Sequence, residues 1–180
     1  VSVVCNLNAL DQSSLIYNIT RISVQGKMSH STLSSPDCGS THSILSQKHL
    51  RNMGLDLPSV IDTSVEYRLS NSSKANQENA ILGSVDLSIY LQSSNNKFFH
   101  EQHRFLVLDN DDFDLILLGI DFLKKCNTRM ELLQNENSVK LQLFNDKNNR
   151  VKVNLQCYME NEIRNTLYPT LTNCNHCLLY

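Results

Sequence analysis

Apolar and polar positions alternate along much of the chain, and this period of two predicts short β-strands. The clearest case is the segment 80–91, in which Val85, Leu87 and Ile89 alternate with polar residues. The run 115–120 is apolar without alternation, which is typical of a strand that is buried on both faces. We predict strands at residues 15–24, 28–33, 60–69, 80–91, 105–108, 115–120, 130–133, 139–144 and 151–155.

Helical periodicity is limited to two places. Apolar residues between Ile44 and Met53 recur at helical spacing, so we predict a helix over residues 43–54 that ends at Gly54. A shorter helix is predicted over residues 122–126, with Asp121 as its N-terminal cap. Many short strands with so little helix predict a mainly β domain.

The charge and the cysteines of the chain narrow the classes of function. The chain has 180 residues and a net charge of -2, with an isoelectric point near 6.3, so electrostatics give no argument for binding nucleic acid or an anionic membrane surface. Its apolar runs are strand-sized, and no membrane span is expected. The six cysteines are irregularly spaced, which indicates a reducing interior, either the cytoplasm or an intracellular particle.

The patterns divide the chain into three parts. Residues 1–14 show no clear period and are interpreted as a linker or a preceding segment. Residues 15–145 are predicted to form the folded domain, and residues 146–180 to form a C-terminal extension with one added strand and then a linker. The chain begins with Val and no basic region precedes its first residues, so we expect it to be a piece of a longer precursor.

One stretch between two predicted elements has an order of residues that regular structure does not require. It is Asp37-Cys38-Gly39-Ser40-Thr41, a single carboxylate followed by a small residue, a glycine and two hydroxyl residues. A glycine two positions after an acid suits a turn whose N–H groups point back at the carboxylate. This loop is therefore the main candidate for chemistry.

A carboxylate held in this way needs a second one to hydrolyse a peptide bond without a metal. Two carboxylates about 3 Å apart share one proton, because they cannot both ionise. One then donates its proton to the substrate carbonyl oxygen while the other activates a water molecule. The chain has one Asp-x-Gly loop of this kind, so the second copy is expected from a second subunit related by a two-fold axis.

A second stretch completes the pattern. Residues 113–123 read Phe-Asp-Leu-Ile-Leu-Leu-Gly-Ile-Asp-Phe-Leu, about 80 residues after the Asp37 loop. Together the two stretches resemble the signatures of the retropepsin family of aspartic proteases, in the version encoded by long-terminal-repeat retrotransposons. In that family an Asp-Ser/Thr-Gly loop is followed by a short helix, a flap hairpin and a hydrophobic-hydrophobic-Gly strand. The resemblance covers roughly residues 17–145.

The resemblance implies a small closed β-barrel with one or two short helices. It also implies a homodimeric aspartic endopeptidase that needs no cofactor and no metal, and that cleaves an extended polypeptide, the retroelement polyprotein. The resemblance places neither nucleic acid nor a membrane among the partners of this domain. The implied site residues are the catalytic Asp37, the active-site loop Cys38, Gly39, Ser40 and Thr41, the flap residues Ile81, Leu82, Gly83 and Ser84, and the supporting Leu118 and Gly119.

Two positions depart from the family and motivate other functions. Cys38 stands where the family has Ser or Thr, and the segment ending at Pro36 replaces an apolar pair. The alternative is therefore an inactive retropepsin fold kept as a dimerisation or peptide-binding module. A monomeric β-barrel adaptor without a dyad is the third hypothesis.

Other chemistry-bearing residues have simpler interpretations. Asp37 alone is compatible with an ordinary turn, and Cys38 with His42 lacks an evident third group for nucleophilic catalysis. The cluster of Cys174, His176 and Cys177 has no second pair at zinc-finger spacing, so no metal site is predicted. The remaining residues are interpreted as structural, namely Asp114 at a strand edge, Gly119 as a close-packing position, and His100, Glu101, His103 and Arg104 as a solvated strand end.

Overall fold

The structure is a computed structural model, and it describes residues 2–3, 16–65, 68–69, 80–93, 95, 97–132, 138–145 and 151–159. Most of the predicted linker 1–14, the segment 71–79 and the cluster at residues 174–177 lie outside the described residues. The elements are β1 (Ser2–Val3), β2 (Ile16–Val24), β3 (Lys27–Met28), β4 (Thr32–Pro36), β5 (Ile44–Ser46), α1 (Gln47–Asn52), α2 (Leu57–Val60), β6 (Arg68–Leu69), β7 (Ile81–Gln92), β8 (Phe98–Leu108), β9 (Leu115–Leu118), α3 (Ile120–Lys125), β10 (Arg129–Leu132), β11 (Ser138–Asn145) and β12 (Val151–Met159).

Six strands close into a barrel. Going around it, β2 pairs with β4, β4 with β9, β9 with β5, β5 with β8, β8 with β7, and β7 returns to β2. The β4–β9 and β5–β8 pairs are parallel and the other pairs are antiparallel. The prediction of a mainly β fold built on a small closed barrel is therefore confirmed.

The alternation of apolar and polar residues along β7 places one row of its side chains in the core of the barrel. Val85, Leu87, Ile89 and Leu91 are buried, whereas Asp86 between them is exposed. The same core includes side chains from β2, β8, β9 and the helices. Because one face of each strand is apolar, a register slip of one residue would expose the whole row, and the pattern fixes the pairing.

The structure corrects the predicted helix over residues 43–54. Residues Ile44–Ser46 form β5, which pairs with both β8 and β9, and only Gln47–Asn52 are helical. Ser46 is the N-cap, and its side chain accepts a hydrogen bond from the Lys48 N–H. The two apolar residues at the start fit a helix or a buried strand equally well, and pairing with two neighbouring strands decided between them.

Other predicted elements also differ from the structure. The strand predicted at residues 105–108 is the end of β8, which begins at Phe98. The strand predicted at residues 60–69 is replaced by the end of α2, an isolated bridge between Asp62 and Ser84, and the short β6. Four-residue α2 was not predicted, since a single turn with a proline at its start is too short to show a helical period.

The C-terminal strands extend the sheet beyond the barrel. β10 and β11, which correspond to the strands predicted at residues 130–133 and 139–144, pair antiparallel, and residues 133–137 between them lie outside the described residues. β12 pairs with β11 along its length and with the first two residues of β2. Within the part of the chain that the structure describes, no helix has the length and apolar character needed to cross a membrane.

Candidate active site

β4 carries Asp37 to the end of the barrel. Its five residues run parallel to β9, with Pro36 opposite Leu118. The ladder continues one residue further, because the Asp37 N–H donates to the Leu118 carbonyl at 2.9 Å. Asp37 is half-buried, so its backbone belongs to the sheet while its side chain remains accessible.

The loop that follows turns back onto the carboxylate. The Gly39 N–H donates to Oδ1 of Asp37 at 2.8 Å, and the Ser40 N–H donates to the main-chain oxygen of Asp37 at 3.3 Å. The hydroxyl of Ser40, which is fully buried, donates to the His42 carbonyl at 2.6 Å. Cys38, Gly39 and Thr41 are exposed. The loop thus fixes one carboxylate and presents a thiol, a glycine and a hydroxyl to solvent.

Gly119 lies directly beneath the loop. The N–H of the next residue, Ile120, donates to the Ser40 carbonyl at 2.8 Å. A Cβ atom at Gly119 would lie 2.4 Å from both the carbonyl carbon and the oxygen of His42. The backbone of Gly119 has ordinary angles, with φ at -74°, so glycine is required here by space alone.

A polar cluster holds the far end of the loop. The N–H and the hydroxyl of Ser43 donate to Oδ2 and Oδ1 of Asp121, at 3.1 and 2.8 Å. The same hydroxyl accepts the Gly119 N–H at 3.0 Å. Nε2 of His103 lies 3.1 Å from Oδ2 of Asp121. Three segments far apart in sequence therefore meet at one carboxylate.

The environment of Asp121 favours its charged form. Burial raises the pKa of this carboxyl, but the His103 imidazole 3.1 Å away and the hydrogen bonds from Ser43 outweigh burial, so the pKa of Asp121 is lowered from 3.8. A carboxylate that stays ionised remains an acceptor for all of its donors. The loop therefore keeps its support into the acid range.

Sequence reasoning missed this cluster. Asp121 was predicted to cap α3, but the N-cap is Gly119, and Asp121 lies in the first turn, where it accepts the bonds from Ser43. His103 was interpreted as part of a solvated strand end, but its side chain is only 10% exposed. Asp114 does lie beside the start of β9, where it pairs with Lys48 at 2.6 Å. Two positions in the sequence could have indicated the cluster, namely Ser43, six residues after Asp37, and Asp121, two residues after Gly119.

The structure places the four predicted flap residues at the start of β7. Ser84 exchanges backbone hydrogen bonds of 2.7 and 2.9 Å with Asp62, and the register with β8 shifts between Ile81 and Gly83. Gly83 has φ at +150°, and a Cβ atom there would lie 2.4 Å from the Asp62 carbonyl oxygen. Most of the segment immediately before them, 66–67 and 70–79, lies outside the described residues.

The described residues at this site offer the chemistry of a carboxylate. No group of three or more His, Cys, Asp or Glu side chains placed to hold a metal ion occurs among them. Asp37 is the carboxylate that the loop presents, and one carboxylate does not supply both the acid and the base that peptide hydrolysis needs. A second Asp37 from another copy of the chain would complete the pair.

Comparison with known proteins found no matching family model and no matching curated protein. Among solved structures, the chain is similar to a retropepsin-like aspartic protease from Rickettsia conorii, at 18% identity over 66% of this chain and 85% of that chain. The TM-score is 0.36, a likeness too low to carry an argument. Function has to be inferred from the residues of the site itself.

Proposed function

We propose that this chain is an aspartic endopeptidase of the retropepsin type that works as a homodimer. Asp37 of each copy would supply one carboxylate of a shared dyad at the two-fold axis. The substrate would be an extended polypeptide, namely the polyprotein of a long-terminal-repeat retrotransposon from which the chain itself derives.

The observation that carries the proposal is the way Asp37 is held. Its backbone is bonded to Leu118 at the end of the parallel β4–β9 pair, and its carboxylate accepts the Gly39 N–H. The neighbouring Cys38 and Gly39 are exposed. An acid in an ordinary surface turn does not need a loop that is bonded to Leu118 at its start and to Ile120 through Ser40.

The dyad would act by general acid–base catalysis. One proton shared between the two carboxylates leaves one Asp37 as an acid and the other as a base. The base takes a proton from a water molecule, whose oxygen forms a bond to the scissile carbonyl carbon, while the acid protonates the carbonyl oxygen. Transfer of a proton to the amide nitrogen then allows the C–N bond to break, which releases an amine and a carboxylic acid.

The substrate would bind as an added β-strand. Main-chain hydrogen bonds to an extended peptide are nearly independent of sequence, and pockets for alternate side chains provide specificity. We assign the closing flap to the region of Ile81, Leu82, Gly83 and Ser84, as the family resemblance implies.

A second candidate is an inactive retropepsin fold that serves as a dimerisation or peptide-binding module. Cys38 is a free, exposed cysteine at the position where the family places the hydroxyl that bonds across the dimer axis. A thiol is a weaker donor than a hydroxyl. Cys38 therefore favours a loosely held dimer over a tightly held one.

Cys38→Thr is expected to tighten the dimer. Two added hydrogen bonds, one from each copy, at about 1 kcal/mol each would lower the dissociation constant by about ten- to thirty-fold. Sedimentation equilibrium measures this change, and Cys38→Ala is the matched control because it removes the thiol without adding a donor. A dissociation constant for Cys38→Thr equal to that of Cys38→Ala would contradict the assignment of this residue to the dimer axis.

Cleavage of an upstream polyprotein segment fused to the chain tests the function itself. The proposal expects cleavage by the wild type, and faster cleavage by Cys38→Thr at concentrations where the wild type is partly monomeric. If light scattering shows that both proteins dimerise and neither cleaves the fused segment, the inactive dimerisation or peptide-binding module is the better description. Monomers at every concentration would instead support an adaptor without a dyad.

A further inference from the structure

The far end of the Asp37 loop depends on a single carboxylate. Asp121 accepts the N–H and the hydroxyl of Ser43, and also the Phe122 N–H at 2.8 Å. The Ser43 hydroxyl in turn accepts the Gly119 N–H, and Gly119 supports the backbone of His42. Protonation of Asp121 would turn one of its acceptor oxygens into a donor and would break this arrangement.

His103 is fixed where it contacts that carboxylate. Its ring packs edge-on against Phe105 and Phe122, with centroid distances of 5.3 Å and interplanar angles of 89° and 81°. The side chain is 10% exposed, and Nε2 lies 3.1 Å from Oδ2 of Asp121. The two aromatic rings leave the imidazole little freedom to turn away.

We propose that His103 is a positioning residue that keeps Asp121 ionised, and thereby holds the Asp37 loop in its catalytic pose under acidic conditions. This inference rests on the proposed function. Its effect reaches the reacting atoms through Asp121, Ser43 and Gly119.

The other charged groups near His103 are already paired. On β7, Asp86 forms two hydrogen bonds with Arg104 of β8, at 2.9 and 2.6 Å. Glu101 of β8 pairs with Lys125 of α3 at 3.2 Å. Among the described residues, no other group has an ion pair with Asp121 in the structure.

An open cavity of about 730 Å³ lies beside the imidazole. His103 lines it together with Asp86, Arg104 and Lys125.

Removing the imidazole takes away part of what lowers the pKa of Asp121. Burial alone raises the pKa of this carboxyl, and the His103 contact is the largest of the effects that lower it. Without His103, Asp121 takes up its proton at a higher pH. The loop then loses its support while the pH is still in the working range of the dyad.

The test compares His103→Phe and His103→Gln with the wild type in cleavage of the upstream polyprotein segment added as a separate chain, which allows kcat and KM to be measured separately. His103→Phe keeps a ring but has no donor, and we expect kcat to fall by about ten- to a hundred-fold at acidic pH with KM within about two-fold. The acidic limb of its pH–rate profile should move to higher pH. His103→Gln retains a neutral N–H near the position of Nε2, so it should recover kcat at the upper end of the pH range and shift the limb less.

His100→Phe is the matched control. His100 lies three residues earlier on β8, is exposed, and stacks on Tyr90 with ring centroids 4.7 Å apart, a contact that Phe can preserve. This variant should keep the wild-type pH profile. If His103→Phe and His103→Gln lose the same fraction of activity at every pH, the histidine acts only in packing and the inference is overturned.

Amide hydrogen exchange separates failure of this inference from failure of the proposed function. The Ser43 and Gly119 amides should exchange faster in His103→Phe than in the wild type as the pH falls, whether or not the protein cleaves peptides. Unchanged exchange would refute the link between His103 and the loop. Faster exchange in a chain whose wild type has no protease activity would retain that link and refute the role in catalysis.

Discussion

Replacing Asp37 with Asn is expected to reduce the rate of polyprotein cleavage by about 10³-fold or more. An amide can neither accept the proton of the attacking water nor donate one to the carbonyl oxygen, and these transfers contribute about 10² to 10⁴ in rate. Both copies in the dimer carry the change, so no carboxylate remains at the axis. The measurement is the rate of product formation from the fused upstream segment, followed by gel electrophoresis.

The same substitution should leave the fold intact. Asn has the size of Asp, and its carbonyl oxygen can still accept the Gly39 N–H that now bonds to Oδ1 at 2.8 Å. A half-buried substitution of this kind changes the free energy of unfolding by about 0.5 kcal/mol or less. Asp56→Asn is the matched control, because Asp56 is exposed and its side chain makes no capping hydrogen bond to α2. Equal cleavage by Asp37→Asn and Asp56→Asn would exclude an aspartic protease.

Gly119→Ala is expected to destabilise the whole domain. The added methyl group would lie 2.4 Å from the His42 carbonyl and 2.8 Å from the Ser43 nitrogen. These atoms belong to the backbone of a loop that is bonded on both sides, so they cannot turn aside as a flexible side chain would. Inserting a methyl group into such a space costs about 3 kcal/mol, and the shift of the loop should also abolish cleavage. Urea denaturation followed by circular dichroism measures the stability.

Gly26→Ala provides the comparison for this prediction. Gly26 has φ at +79°, but no atom lies within 4 Å of the position where its Cβ would be built. The cost there is conformational and amounts to about 1 kcal/mol. Equal losses of stability in the two variants would show that Gly119 does not support the loop.

Local patterns predicted the strands well and the contacts between distant segments poorly. The period of two in β7 arises because one face of the strand is buried and the other is more exposed. The polarity of each residue indicates on which face it lies. The bonds from Ser43 to Asp121 join residues 78 positions apart, so no local period of apolar and polar residues predicts them. Asp121 was therefore assigned to the nearest local role, a helix cap.

The prediction of helix at residues 44–46, which form β5, was wrong for a related reason. Ile44 and Leu45 are both fully buried, because they point to opposite faces of the strand and each packs into an apolar cluster of its own. Two adjacent buried residues break the alternation that would have indicated a strand, and they continue into the apolar spacing of α1.

The burial of His103 was missed because a polar side chain indicates exposure to solvent, whereas two aromatic rings from β8 and α3 cover this one.

The loop at Asp37 was the feature that the sequence showed most directly. A turn with glycine two positions after the acid produces the Gly39 contact through local geometry alone. The proposed dimer, in contrast, would be a property of two chains, and no residue pattern within one chain predicts the distance between two copies of Asp37. The proposed catalysis depends on that distance.

A tethered dimer with Asp37→Asn in only one half tests the central claim most directly. Two copies of the chain are joined by a long Gly/Ser linker, which behaves as a flexible coil, and cleavage is measured in dilute solution where light scattering shows a single tethered species. A dyad shared across the axis predicts that the half-substituted protein has about 10³-fold less activity than the tethered wild type, nearly as little as the doubly substituted protein. Retention of half of the wild-type activity would show that each Asp37 acts alone, which contradicts the account.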